Sequence, residues 1–291
     1  MKNLLCLIFV ATFIFSCQKS KPLVEETPPD SVSFENERNA FFDNLKTPVE
    51  AAAILQSTGA DFNASLINDF SKHTEYAKDQ VKAAANLGVY LSDLNYSVAY
   101  QKSADTKELF TASLALSKAI GVDQNVLDFL LERYTKNIAQ NDSAKHLIIA
   151  LYDRSTANLK DTESERLVGI AMAAYQIENL HLALGLIRTY PKDMLPTDAR
   201  TQILVPIFKM VLDQKMNVEN IYGFLKSIAD PEHPNYSYYA TAFENLIKTY
   251  DKLNITEKIA NNQGLELMKD EVVNELSEKV EAIRGKIVSA E

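Results

Sequence analysis

From Val32 onward, apolar residues recur at three- and four-residue spacing and do not alternate, the pattern of helices that bury one face. The punctuation between these runs is consistent. Thr47-Pro48 places a cap before a proline at the first helical position, and Gly59 closes VEAAAILQSTG. Asp105 precedes TKELFTASLALSKAIG, which ends at Gly121; Asp123 opens a segment through Gln140, and Asp142 opens another. Thr162-Glu163-Ser164-Glu165 puts acids in a first turn, where they favour the helix dipole. Asp198 caps ARTQILVPIFKMVLDQ, in which Pro206 should kink the helix, and Asn217, Asn235 and Asn254 open three more. The short connections make successive helices antiparallel neighbours. No segment reads as a strand. The expected fold is all-α, an irregular array of antiparallel helical hairpins that forms either a solenoid or a bundle.

Within the array, Ala171, Ala174, Leu180, Ala183, Ile187 and Tyr190 have a spacing that resembles a tetratricopeptide unit, with the turn near Glu178-Asn179. No second copy stands out, whereas a true array needs about three. A plain helical hairpin therefore stands beside the repeat reading. The C-terminal stretch from Ile255 to Val288 carries a narrow stripe of Leu265, Met268, Val272, Leu276, Val280, Ile283 and Ile287 among Glu and Lys. It either caps the core or forms a coiled coil with a partner.

One segment departs from the amphipathic pattern. Residues 83 to 101 read AAANLGVYLSDLNYSVAYQ, with Asp93 the only charge. Asn86, Tyr90, Asp93, Ser97 and Tyr100 fall within about 40° of one helical line. Leu87, Leu91, Leu94 and Val98 form a neighbouring apolar stripe, while Ala85, Gly88, Ser92 and Ala99 keep a third side small. A helix without a charged face is buried all round, so the polar stripe must point inward. It either lines a ligand pocket or joins a buried network. In the pocket, Asp93 would accept hydrogen bonds or bind a cation between walls of Tyr90 and Tyr100. In the network, Asp93 takes bonds from a tyrosine hydroxyl, from Asn86, or from an arginine such as Arg133 or Arg154. A lone buried carboxylate costs several kcal/mol, so a partner is required.

The string Asn86-Leu87-Gly88-Val89-Tyr90 followed by Asp93-Leu94-Asn95-Tyr96 resembles a stretch of all-helical lipoproteins of the Bacteroidota. The resemblance is clearest over residues 80 to 100. It implies an address and a fold, and no mechanism.

The N-terminus points to the same address. Met1-Lys2-Asn3 precedes an apolar run from Leu4 to Phe15. The run is shorter than the ~20 residues a membrane span needs, so it reads as a secretory signal. Its end, Ile14-Phe15-Ser16-Cys17, resembles a bacterial lipobox, with Phe15 in place of the usual small or aliphatic residue. That resemblance makes Cys17 the lipidated first residue of the mature chain. Gln18 follows, with no aspartate to signal inner-membrane retention. Gln18-Lys19-Ser20-Lys21 lacks the acidic cluster of surface-displayed Bacteroidota lipoproteins, which favours the periplasmic face of the outer membrane. Pro22 to Ser31 is polar and proline-rich, an extended tether. The expected organisation is a signal over 1–16, a tether over 17–31, a helical domain over 32–253 and a C-terminal amphipathic helix over 254–291.

Composition narrows the chemistry. The chain has 291 residues, 46% of them hydrophobic, which is enough for a sizeable core. It holds 8 glycines and no Gly-x-Gly or P-loop. Cys6 leaves with the signal and Cys17 is taken by lipid, so no disulfide and no thiol chemistry is expected. The formal net charge of −9 gives no counterion-release affinity for nucleic acid and no attraction to anionic headgroups. Membrane contact then comes from the acyl chains alone. His73, His146, His181 and His233 are far apart, outside any local metal spacing. No Gly-x-Ser-x-Gly elbow or imelysin-type Gly-x-His-x-x-Glu occurs, and no Ser-x-x-Lys begins after the signal. Tyr236, Tyr238 and Tyr239 cluster at a helix start, as core packing or as a binding surface. The expected function is a lipid-anchored binding or scaffold protein that meets another envelope protein, without cofactor or metal. The alternative is a small-molecule pocket on the Asn86–Tyr100 face.

Overall fold

A computed structural model describes most of residues 48–122, 162–228, 234–253 and 271–289, with isolated positions between 124 and 132. The described residues are helical with no strand: the fold is all-α. Among the described residues eight helices carry it: α1 (Pro48–Ser57), α2 (Gln80–Ala99), α3 (Ser103–Ala119), α4 (Thr162–Thr189), α5 (Thr197–Asp213), α6 (Lys215–Ile228), α7 (Pro234–Lys252) and α8 (Glu271–Val288). Between α1 and α2 a strap with two 3-10 turns, Ala64–Leu66 and Phe70–Lys72, leads into a single helical turn, His73–Tyr76.

The punctuation holds where glycine sets it. Gly59 and Gly121 have φ of 83° and 91°, a conformation that costs glycine little. The amides just beyond them close the helix ends, Ala60 N on Leu55 O at 3.1 Å and Val122 N on Ser117 O at 3.0 Å. The side-chain caps differ from expectation. Asp105 and Asp198 lie inside the first turns of α3 and α5, with Lys102 and Pro196 at the cap positions. Asn217 and Asn235 likewise lie inside α6 and α7. An acid in the first turn already interacts favourably with the dipole, so neither Asp105 nor Asp198 has to cap. Asp79 caps α2 instead, its side chain accepting from Lys82 N at 2.8 Å. Asp123, Asp142 and Asn254 lie outside the described residues.

The tetratricopeptide-like turn is overturned. α4 runs unbroken through Glu178-Asn179, so the proposed hairpin is one long helix. Neither residue breaks a helix, and both are interior, at 0% and 4% exposure. The stretch Arg166–Thr189 is long and apolar enough to cross a membrane, and 94% of its apolar window is buried inside the fold, as in a core helix. Pro206 sits inside α5, which continues past it.

The packing of α2 against α4 is the most extensive in the fold. α3 returns along α2, α6 pairs with α7, and α6, α7 and α8 cover α4. The main core joins α2, α3, α4, α6, α7 and α8. A second cluster, including Leu55, Leu66, Tyr96, Leu186 and Ile207, fills the region where α1, α5 and the strap meet α2 and α4. On α8, Val273, Leu276, Val280, Ile283 and Ile287 are buried at three- and four-residue spacing, each contributing about 1.5–3 kcal/mol. α8 thus caps the core of its own chain, against α4, α7 and α2. Leu265, Met268 and the Val272 side chain lie outside the described residues.

Candidate functional site

The absence of a charged face makes α2 a central helix, and its polar stripe lies in the interior. Asn86, Tyr90, Asp93 and Ser97 are fully buried, and Tyr100 is 8% exposed. The strap crosses this stripe and bonds to it through its backbone. Asn68 N–H donates to Asp93 Oδ2 at 2.9 Å. Tyr90 donates to Asp69 O at 2.9 Å, and Asn63 N–H donates to the Tyr96 hydroxyl at 3.0 Å. Asn86 accepts from Asn68 Nδ2 at 3.2 Å and donates to Ile287 O at 2.9 Å, reaching the end of α8. Tyr76 donates to Val288 O at 2.8 Å beside it. These two side chains satisfy terminal carbonyls that the helix itself leaves open.

Sequence reasoning missed the charged centre of this network. Glu178 on α4 is as buried as Asp93. Arg284 on α8 places its Nε 2.7 Å and 3.0 Å from the two Glu178 oxygens, and its Nη2 donates to Leu66 O at 3.1 Å. The Asp93 and Glu178 carboxyls lie within hydrogen-bonding reach of one another. Asp93 Oδ1 meets no N–H donor among the described residues. Burial first, and the Glu178 charge second, hold the Asp93 carboxyl well above the usual carboxylate range. The partner of Asp93 is therefore a backbone amide and a second carboxyl. Asn86 stands one step away through Asn68, and Arg133 and Arg154 lie outside the described residues. Burial works against the charge of Arg284, but Glu178, Asp93 and Glu281 together strengthen its hold on its proton.

A second ion pair borders the first. His181 directs Nδ1 at Glu281 Oε1, 2.9 Å away, and Nε2 at Leu66 O, 3.1 Å away. Both ring nitrogens face acceptors, an arrangement that only the doubly protonated ring satisfies in full. Arg188 adds a contact to Glu281 at 3.3 Å. Burial raises Glu281, but His181 and Arg188 outweigh it and leave the carboxyl below its usual range. A lowered carboxyl contributes stability above its unfolded value, lost as pH falls through its folded value. The side chain is 36% exposed, so the effect is small. The midpoint of urea unfolding should fall more steeply between about pH 5 and about pH 3 in the wild type than in Glu281→Gln. Parallel profiles would show that the pair is solvent-screened.

The rest of the stripe differs in kind. Ser97 Oγ and Tyr100 Oη are buried without a hydrogen-bond partner among the described residues. Tyr100 packs with Phe62 and Tyr96 at centroid distances of 5.7 Å and 5.2 Å. On the opposite side of α2, Ser92 donates to Asn179 at 2.7 Å and Asn95 to the Tyr175 hydroxyl at 2.8 Å, which fixes the register of α2 on α4. In the tyrosine cluster, Tyr236 and Tyr239 are buried in the core, and Lys286 Nζ lies 3.5 Å from the Tyr238 ring centre. Among the described residues, no three His, Cys, Asp or Glu side chains converge as metal ligands. Cys17 lies outside the described residues.

No family model matches the chain, and neither a curated protein nor a solved structure matches it.

Proposed function

We propose that the chain is a lipid-anchored helical binding or scaffold protein of the cell envelope. It is held through Cys17 on the periplasmic face of the outer membrane, and its partner is another envelope protein. The observation that carries this reading is Ile14-Phe15-Ser16-Cys17 at the end of the Leu4–Phe15 apolar run. The interior supports it. Glu178, Arg284, His181 and Glu281 are engaged by one another, which leaves partner contacts to the outer faces of the helices. Met216 is the one exposed large hydrophobic side chain among the described residues. Partner contacts on those faces are then polar, and salt weakens them.

The test is crosslinking in intact cells, followed by denaturing purification and mass spectrometry. One dominant envelope protein, recovered repeatedly and lost at high salt before crosslinking, is the expected result. Cys17→Ser should move the chain from the membrane fraction to the soluble fraction and abolish labelling by a fatty-acid probe. Unchanged fractionation and labelling would remove the anchor, and the proposed address with it.

A second reading is favoured by Ser97 Oγ and Tyr100 Oη, buried polar atoms on one helical line that have no partner among the described residues. They suit a small polar ligand on the Asn86–Tyr100 face. Crosslinking that recovers no partner, together with a ligand that stabilises the wild type and not Ser97→Ala, would favour it.

A further inference from the structure

Among the described residues, the interior holds two sealed carboxyls, Asp93 and Glu178, and one guanidinium to answer them. Arg284 already faces both oxygens of Glu178. Asp93 is left with the Asn68 amide and a second oxygen that meets no donor among the described residues. Among the described residues, no second cation balances it. From α4, His181 is turned away to Glu281 and Leu66 O. From α8 come Arg284 and, beyond His181, Glu281. From the strap, Asp69 directs its carboxylate at Ser71, and from the helical turn before α2, Tyr76 is neutral. Tyr90 and Tyr96 on α2 are held neutral by burial. Among the described residues, the charges acting on Asp93 are thus Glu178 and Arg284, with none from α1 or α3. A second bare carboxylate in this dry site would cost several kcal/mol. A proton on Asp93 removes that cost and supplies a donor to Glu178.

We propose that Asp93, Glu178 and Arg284 form a proton-operated latch on α8. With Asp93 protonated the cluster closes dry and α8 stays docked; as the pH rises and that proton leaves, water enters and α8 lifts from α2 and α4.

Exposure identifies the moving element. Asp93 and Glu178 are sealed, whereas Arg284 and Glu281 are 14% and 36% exposed at the side chain, and both sit on α8. Water therefore reaches the carboxyls from the α8 side. The polar bonds that hold the end of α8, from Asn86 and Tyr76, belong to the same network through Asn68. The sign follows from linkage. Asp93 is raised above its unfolded value, so its contribution to the docked state is full in acid and is lost as pH rises through the folded value. One proton makes the opening constant grow by up to about tenfold per pH unit beyond that point. The latch does not depend on the envelope reading.

The experiment is hydrogen exchange of the full chain in detergent, read at α8 from about pH 6 to about pH 9 and corrected for intrinsic exchange. Wild-type protection at Leu276–Ile287 should fall with pH, by up to about tenfold per unit. Asp93→Asn keeps the amide contact, donates permanently to Glu178 and should stay protected with a flat profile. Glu178→Gln, which leaves Arg284 to Asp93, should flatten it too. A flat wild-type profile, or an Asp93→Asn profile as steep as the wild type, overturns the proposal. Should neither variant fold, the infrared spectrum of the wild type decides. One protonated carboxyl C=O stretch at about pH 7 supports the latch, and its absence overturns it.

Discussion

Arg284→Ala should destabilise the protein by about 3–5 kcal/mol, measured by urea unfolding at neutral pH. The guanidinium faces both oxygens of the fully buried Glu178 and also donates to Leu66 O, so one truncation orphans a charge on α4 and leaves the strap carbonyl to His181 alone. The size of the loss reflects the stranded carboxylate more than the net worth of the pair. A cycle separates the two. In Glu178→Gln with Arg284→Met, the buried charge and its counter-charge leave together, and most of the lost stability should return. Arg284→Lys should recover little, because an ammonium cannot reproduce guanidinium contacts that run from Glu178 to the strap. If Arg284→Ala cost under about 1 kcal/mol, the cluster would be hydrated and the pair would behave as a surface ion pair.

Much of this architecture is legible in the sequence because it depends on local periodicity. The all-α class, the stops at Gly59 and Gly121 and the inward stripe of α2 each follow from spacing that a short window contains. The long helix α4 was not legible as one element. Glu178 and Asn179 look like turn residues, yet their meaning is set by Arg284 and Ser92, both far away in sequence. The charged centre was hidden for the same reason. Asp93 announced itself as the only charge in its run, whereas Arg284 sits among exposed lysines and glutamates on a helix that reads as amphipathic. A weak signal did exist: Arg284 follows Ile283, next to the apolar stripe of α8, where a long side chain can reach inward. His181 likewise carried no local mark of its bonds to Glu281 and Leu66.

Gly88→Ala should cost about 3 kcal/mol or more, although it adds a single methyl group. The small side of α2 marks where another backbone approaches, and that backbone belongs to α4. A Cβ at position 88 would clash with the carbonyl oxygen of Ala171 and lie 2.8 Å from Tyr175 N. Both are main-chain atoms of a helix, so no side chain can swing aside, and α2 and α4 must separate. Separation loosens Ser92 on Asn179 and Asn95 on Tyr175, and it pulls Asp93 from Glu178. The packing fault and the charge cluster are therefore coupled, and Gly88→Ala combined with Arg284→Ala should cost less than the sum of the two. Gly223 supplies the control. It lies inside α6 with no atom within 4 Å of an added Cβ, so Gly223→Ala should stabilise by about 0.5–1 kcal/mol. If both substitutions stabilised alike, the close approach of α2 to α4 would not exist, and the register that brings Asp93 to Glu178 would lose its basis.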